Sequence, residues 1–545
     1  MKIRIPAVIA AVLCCMSCIK VDYSIGGNLV PVNKIYDIYS VEIPLDDIVM
    51  RKADSLDARS TTRMSIGAIR DEDGDLSTRA CAMTLVPLDD TLDFGDSPVF
   101  KSFIFQAACD SVSVADKSQE NIIQNVRVYE LSEALDPLAA FDCNSEIKHR
   151  DVSIVNGMPT VNGKDSLVFN FTKEYGQRFI DDLTQEDLQD FDSYIKKFPG
   201  IYIETDAPSG QGGRFNMYEL QLGWDANNNI LTGNVAALTF TTKYDFWDSR
   251  KDTTFLFYFG AAGFFNMDSL VTNTSRGNYP EVCFNVTGYP DAAESEATDY
   301  IYVEGGGSLK PVIKATTLAN IVTDVISQYG GDPETVFINK ASIVLPYVYD
   351  PEKYDQMYKY PQMLSPTARI HYQDSTGTHV NFNGLTDSSK SEEDPGDIDR
   401  SNLRYSPDIT YHLQSIIQKN KTAPEDLDSG DYDIWLLVMA YETITTTSTT
   451  SSDDMSEYYQ YLAYQNYYNN MYGGYGGYGG GYGYNDYYSN YYSYMMASMY
   501  ASSNSTTTTT SLQLDKERYY KGKLYGPANK EKHPTLKLTF SVPKN

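Results

Sequence analysis

Residues 433–441 read DIWLLVMAY, an apolar run rich in Ile, Trp, Val and Tyr that follows the turn text DSGDY (428–432). A run this short, bounded by turn residues and carrying β-favouring side chains, is strand text, and Trp435 within it is expected to be buried. The same reading extends outward along the chain. YDIYSVEI (36–43), DSVSV (110–114), NVRVYEL (125–131), IYIET (201–205) and ALTFTTKY (237–244) are four to nine residues long and rich in Val, Ile, Tyr, Thr and Phe. ASIVLPYV (341–348), TARIHY (367–372) and LKLTFSV (536–542) continue the series toward the C-terminus. Short strands separated by Asp, Asn and Gly turns predict a mainly β protein built of jelly-roll-like β-sandwiches.

Helical text is scarce. TKEYGQRFIDDLTQEDLQDFDSYIKKF (172–198) spaces its apolar residues by three and four, with a break expected near Thr184. Thr317 to Tyr329 predicts a second helix that stops at Gly330-Gly331. PDITYHLQSII (407–417) reads as a strand running into a short helix, and TTFLFYFGAAGFFNM (253–267) as strand, turn, strand. These signals divide the chain into an N-terminal β-sandwich (36–171), a helical turn with a β-rich middle section (172–316) and a C-terminal jelly-roll-like domain (317–545).

The 545 residues hold 44 Lys and Arg against 73 Asp and Glu, a formal charge of −29. That balance argues against nucleic acid or anionic lipid as a partner bound through bulk electrostatics, because phosphate contacts need clustered basic side chains. The N-terminus carries an address. Lys2 and Arg4 precede an apolar run from Ile5 to Met16, and the run ends in Cys15-Met16-Ser17-Cys18. It is too short to span a bilayer and suits a secretory signal, residues 1–17. A small residue before a cysteine resembles a bacterial lipobox, which makes Cys18 the lipidated first residue of the mature chain. Acyl chains such as palmitate on Cys18 would hold the protein at a membrane through a tether of residues 18–35. Loss of Lys2 and Arg4 moves the charge from −29 to −31. Of the remaining cysteines, Cys81, Cys109, Cys143 and Cys283, an exported compartment allows three pairings. Cys109 with Cys143 is the first expectation; four free thiols is the alternative.

The segment 443–511 is set apart by composition. It holds 17 of the 45 tyrosines and eight glycines between Gly473 and Gly483, and no Lys or Arg occurs from Thr422 to Asp515. Thr-rich runs at 445–450 and 506–510 frame it, which predicts a hairpin with Thr-rich arms and a long low-complexity tip. Tyr472, Tyr475, Tyr478, Tyr482 and Tyr484 are candidate partner or glycan contacts, since tyrosine offers area and a hydroxyl at low entropic cost. Trp224 and Trp247 are the candidate ring platforms for a sugar.

Several stretches together resemble a family of Bacteroidetes outer-membrane lipoproteins, the domain-of-unknown-function family numbered 4270. They are YSIGGNLVP (23–31), NVRVYELSEALD (125–136), FDSYIKKFPGIYIET (191–205), PDITYHLQSII (407–417) and PTLKLTFS (534–541). The resemblance implies an exported, mostly β lipoprotein of the outer membrane, facing either the cell surface or the periplasm. It implies no reaction. The Tyr/Gly insert departs from the family. Seven Asp-Ser/Thr triplets fit the O-glycosylation pattern of exported proteins of that phylum: Ser55, Thr91, Ser111, Ser166, Thr253, Ser269 and Ser375.

Catalytic text is sparse. There is no GxSxG, HExxH or phosphate loop, and Gly305-Gly306-Gly307-Ser308 lacks the lysine of a phosphate cradle. His371 and His379 lie close enough to meet across a hairpin, but a lone pair is a weak metal site. Asp71-Glu72-Asp73-Gly74-Asp75 resembles a calcium loop but fails the EF-hand spacing, with Gly74 fourth and Ala82 twelfth. No metal or cofactor is expected. The expected function is a non-catalytic binding or assembly module, an accessory subunit of an outer-membrane protein complex. The alternatives are a polysaccharide-binding surface lipoprotein and, in another class, a β-sandwich glycoside hydrolase or lyase.

Overall fold

The computed structural model describes residues 36–58, 63–87, 91–135, 142–219, 222–225, 230–233, 235–244, 249–259, 283–374, 377–390, 394–448 and 505–543. The nine quoted β runs all lie in strands or overlap them. What distinguishes these strands from one another is how many of their faces are buried. In Leu76–Met83, Ala80 and Ala82 enter one core while Cys81 and Met83 enter another. In Ile434–Ser448, Ile434, Leu436 and Val438 face one core, and Trp435 and Leu437 face the other. Successive side chains point to opposite faces of a strand. An unbroken apolar run is therefore a strand in an interior layer, apolar on both sides.

Four main antiparallel sheets stack on this rule. A five-stranded sheet runs Leu167–Asn170, Asp96–Ala107, Val235–Lys243, Lys251–Phe259, Leu85–Pro87. Its inner face packs against a nine-stranded sheet with the central path Thr160–Val161, Gln124–Leu131, Ile201–Thr205, Leu76–Met83, Arg63–Arg70, Gly212–Glu219, Cys109–Val114. Cys283–Gly288 also pairs with Leu76–Met83. The core between these two sheets is aromatic, with Phe103, Phe105, Phe171, Phe179 and Phe257 among its rings and Phe103 in contact with Phe171, Phe179 and Phe257. The other face of the nine-stranded sheet meets a seven-stranded sheet built on Ile48–Lys52, Leu309–Ile313, Ile434–Ser448 and Met363–Asp374. That sheet in turn packs on a four-stranded sheet ordered Tyr36–Pro44, Thr535–Pro543, Phe337–Pro346, Arg404–Tyr405. The result is two β-sandwiches placed back to back over a third, smaller core that includes Ala53, Ala58, Ala80 and Ala82.

Sheet membership corrects the division at 171 and 316. The first strand, Tyr36–Pro44, pairs along its whole length with the last, Thr535–Pro543. Ile48–Lys52 likewise belongs with the C-terminal sandwich, while Ile201–Thr205, Gly212–Glu219 and Cys283–Gly288 complete the N-terminal one. Periodicity reports which face of a strand is buried and carries no information on its neighbour, so contiguous boundaries could not be read from it.

Helices form where caps are available. Thr172 accepts the Tyr175 N–H and opens Lys173–Asp182. The expected break follows: the Asp187 carboxylate accepts the Thr184 N–H at 2.7 Å and the Lys197 ammonium at 2.8 Å, and Asp190 caps Phe191–Lys197. Ala315–Gln328 ends as read from sequence, with Gly330 at φ 71° and the Gly331 N–H donating to the Ile326 carbonyl. The expected strand before Thr410–Thr422 is reduced to a single bridge between Ser342 and Asp408. Asp408 instead turns its carboxylate onto the Thr410 N–H and hydroxyl, an arrangement that starts a helix. Of the 253–267 stretch, the first arm lies in Lys251–Phe259; the remainder lies outside the described residues.

Candidate functional site

The Thr-rich arms pair as expected. Ile434–Ser448 and Ser505–Leu514 run antiparallel from Met439–Leu514 to Ser448–Ser505, with Thr443, Thr445, Thr446 and Thr447 opposite Thr510, Thr508, Thr507 and Thr506. Beyond Met439 the two arms have only each other as ladder partners among the described residues. At about 3.4 Å per residue they extend the ribbon by roughly 30 Å. Tyr472, Tyr475, Tyr478, Tyr482 and Tyr484 belong to the segment at the end of this ribbon and lie outside the described residues, as do Cys18, Trp247, Ser269 and Ser375. Trp224 lies in Leu222–Asp225, opposite Leu231. Trp435 is buried against Phe382, as expected of its strand.

After the hairpin the chain dives into a buried charged junction. Asp515 accepts the Arg518 guanidinium and the Tyr520 hydroxyl, both at 2.7 Å. Lys516 donates to the Asp57 carbonyl. Arg79, on the nine-stranded sheet, donates to the carbonyls of Glu517 and Arg518 and to the Tyr289 hydroxyl, and its guanidinium lies 4.2 Å from the Phe215 ring centroid. Asn285 accepts the Ser65 N–H and donates to Glu517. Gly305-Gly306-Gly307-Ser308 packs into this junction, with Asn144 donating to the Gly307 carbonyl and Lys310 to Ser308 and the Glu304 carbonyl. Its polar groups are spent on protein partners, so its role here is packing. Burial lowers Lys310 to about 7 and raises the Glu304 carboxyl above its usual range.

The acidic turn 71–75 faces the same junction. Asp71 accepts the N–H groups of Asp73 and Asp75, both at 3.0 Å, which curls the turn, and Gly74 supplies its φ of 91°. Carboxylate oxygens of Asp71, Asp73 and Asp75 fall within 4.8 Å of one another. The cation among them is Lys521, whose ammonium lies 2.5, 2.9 and 3.1 Å from the three. Burial opposes its charge, but hydrogen bonding to the three carboxylates outweighs that and raises its pKa. A tethered ammonium stands where a calcium loop would hold its ion.

Just outside the junction, Tyr300–Val303 and Gly522–Tyr525 form a two-stranded ribbon. Ile301, Val303 and Leu524 point inward, and Tyr300, Tyr302, Lys523 and Tyr525 point outward. Tyr300 and Tyr302 are 39% and 37% exposed. Lys523 sits 3.8 Å from the Tyr300 ring centroid, Lys521 lies 5.6 Å from that of Tyr302, and Lys532 lies 5.7 Å from that of Tyr525. This is an accessible face of three rings and associated ammonium groups on an acidic chain, a surface able to stack on sugar rings and to hydrogen-bond their oxygens. Sequence reasoning missed it, although the alternation in YIYV (300–303) and KGKLY (521–525) carries the signal.

The remaining candidates are dispersed. Cys109 and Cys143 are not brought together: Cys109 has its sulfur 3.9 Å from the Gly163 carbonyl, whereas Cys143 is buried in the core between the sandwiches. No S–S bond joins Cys81, Cys109, Cys143 or Cys283 in this structure, and the pair in contact is Cys81 and Cys283. The two flank one segment of the N-terminal sandwich, but strand order sends their side chains to different cores. His371 lies opposite Val380 and binds Asp431, while His379 lies opposite Tyr372 and stacks on it. The two imidazoles thus occupy opposite faces. Thr91 and Ser166 are exposed. Ser55, Ser111 and Thr253 are partly buried, with Ser55 donating its N–H to Asp142 and Ser111 its hydroxyl to Asp110.

No helix among the described residues is long and apolar enough to cross a membrane, which says nothing of a β-barrel. No family model, curated protein or solved structure matches the chain.

Proposed function

We propose that this chain is a non-catalytic lipoprotein of the outer membrane, anchored through Cys18 and related to the family numbered 4270. In this reading it acts as an accessory subunit that docks on an outer-membrane protein. The observation that carries the reading is the Thr-paired ribbon, which leaves the seven-stranded sheet at Met439 and bears a Tyr/Gly-rich segment of uniform composition at its end. A two-stranded extension with no sheet neighbour among the described residues contributes little to the core, and docking gives it a role. The test replaces 449–504 by Asn-Gly, a turn suited to joining the paired residues Ser448 and Ser505. Crosslinking in intact cells should recover an outer-membrane barrel or transporter in near-equal amount with the full chain and not with the shortened one. Equal recovery from both would end this assignment. Turnover of a polysaccharide that is lost on changing one carboxylate would end the non-catalytic reading.

A second reading, polysaccharide binding, is favoured by the outward face of Tyr300, Tyr302, Lys523 and Tyr525. Changing Tyr300 and Tyr302 to alanine should weaken retention on a polysaccharide column by roughly tenfold with the fold intact. Unchanged retention would remove the face from consideration.

A further inference from the structure

Cys81 and Cys283 meet inside the first sandwich. Cys283 opens the strand Cys283–Gly288, which pairs with Leu76–Met83 so that Cys283 lies opposite Met83 and Asn285 opposite Cys81. The two cysteines are therefore diagonal neighbours on the same face, turned into the aromatic core. Their sulfurs are 3.4 Å apart, and both residues are almost wholly buried. A disulfide needs about 2.05 Å, so the bond requires an approach of somewhat more than 1 Å. The Cys81 sulfur also lies 4.0 Å from the Ala82 carbonyl.

We propose that Cys81 and Cys283 form a disulfide in the exported protein, and that Cys109 and Cys143 remain thiols. The inference rests on the export reading, because only an oxidising compartment sustains such a bond. The two thiols give up two protons and two electrons, and the oxidant is a thiol–disulfide exchange protein whose own disulfide becomes a dithiol. A thiolate of one cysteine attacks that disulfide to form a mixed disulfide, and the second thiolate displaces the oxidant as the S–S bond closes. Burial pushes the Cys81 thiol well above its usual pKa and shields both sulfurs, so oxidation precedes closure of the sandwich over them. The same burial then protects the bond from reductants. The link joins positions 202 residues apart and clamps the strand that follows 260–282 to the centre of the nine-stranded sheet.

The test counts thiols on the mature chain recovered from the membrane fraction, denatured and treated with a maleimide-bearing polymer before and after reduction. The wild-type chain should take two labels before reduction and four after it. The C109A/C143A chain, which keeps only the proposed pair, should take none before and two after, while C81A should take three in both cases. Reducing the denatured wild type and refolding it should lower its melting temperature by roughly 5 °C. Four labels before reduction on a chain with acylated Cys18 would overturn the disulfide and leave export standing. Two labels on the C109A/C143A chain before reduction would assign the bond elsewhere and overturn it too. An unacylated cytosolic chain would overturn the export reading; refolding in a glutathione redox buffer would then decide the pairing alone, and five residual thiols on C109A/C143A, which there keeps Cys14, Cys15 and Cys18, in place of three would sink it.

Discussion

Lys521 shows how much one side chain can decide. Its ammonium closes the turn Asp71–Asp75 across 450 positions of sequence and holds the Asp73 carboxyl below its usual range. Replacing it by methionine leaves three facing carboxylates without their cation, and a loss of about 3 kcal/mol is expected in chemical denaturation. Lys521→Arg should retain most of that stability. Lys310 gives a pH signature. Its folded pKa of about 7 lies below the value of 10.5 for a free lysine, so between these values the unfolded chain holds more protons than the folded one. Stability from this group therefore rises with pH from about 7 to 10, and below 7 the cost of burying the charge is felt in full. Denaturation midpoints measured across that window should rise in the wild type and flatten in Lys310→Met. Glu304 acts in the opposite sense at lower pH, because its raised pKa lets the folded chain keep a proton that the unfolded chain has lost.

At the scale of elements, the interior strand Ile434–Ser448 serves two cores with alternate residues. Leu436 and Leu437 are both fully buried, the first between the sheets of the second sandwich and the second in the contact between sandwiches. Each change to alanine should cost about 2–5 kcal/mol. They should differ in kind: Leu436→Ala lowers the stability of the C-terminal sandwich, whereas Leu437→Ala loosens its attachment to the other. Calorimetry checks this, with a second transition expected only for Leu437→Ala. Much of this scale was legible beforehand. The strand runs, the Thr-rich arms, the helix around Tyr175 and the stop at Gly330 are local patterns, set by side-chain alternation, caps and backbone freedom within a few residues. The loss of the strand before Thr410 is not legible there, because one carboxylate, Asp408, outweighs the β-favouring text around it.

At the scale of the molecule, the C-terminal sandwich is closed by strands from opposite ends of the described residues. Thr535–Pro543 is the central partner of both Tyr36–Pro44 and Phe337–Pro346. Removing residues 535–545 should therefore expose the core of the C-terminal sandwich and leave the N-terminal one as the protease-resistant fragment, which limited proteolysis with mass spectrometry would detect. A mainly β, acidic chain, the positions of its strands and the arms of its hairpin are legible in the order of residues, because these depend on neighbours one to four residues away. Long-range packing settles the rest: Tyr36–Pro44 pairs with Thr535–Pro543, Lys521 answers Asp71, Tyr300 and Tyr302 line up with Lys523, and Cys81 meets Cys283. Those contacts join positions hundreds of residues apart. They are chosen by which strand faces complete a core together, a condition that no local stretch of sequence contains.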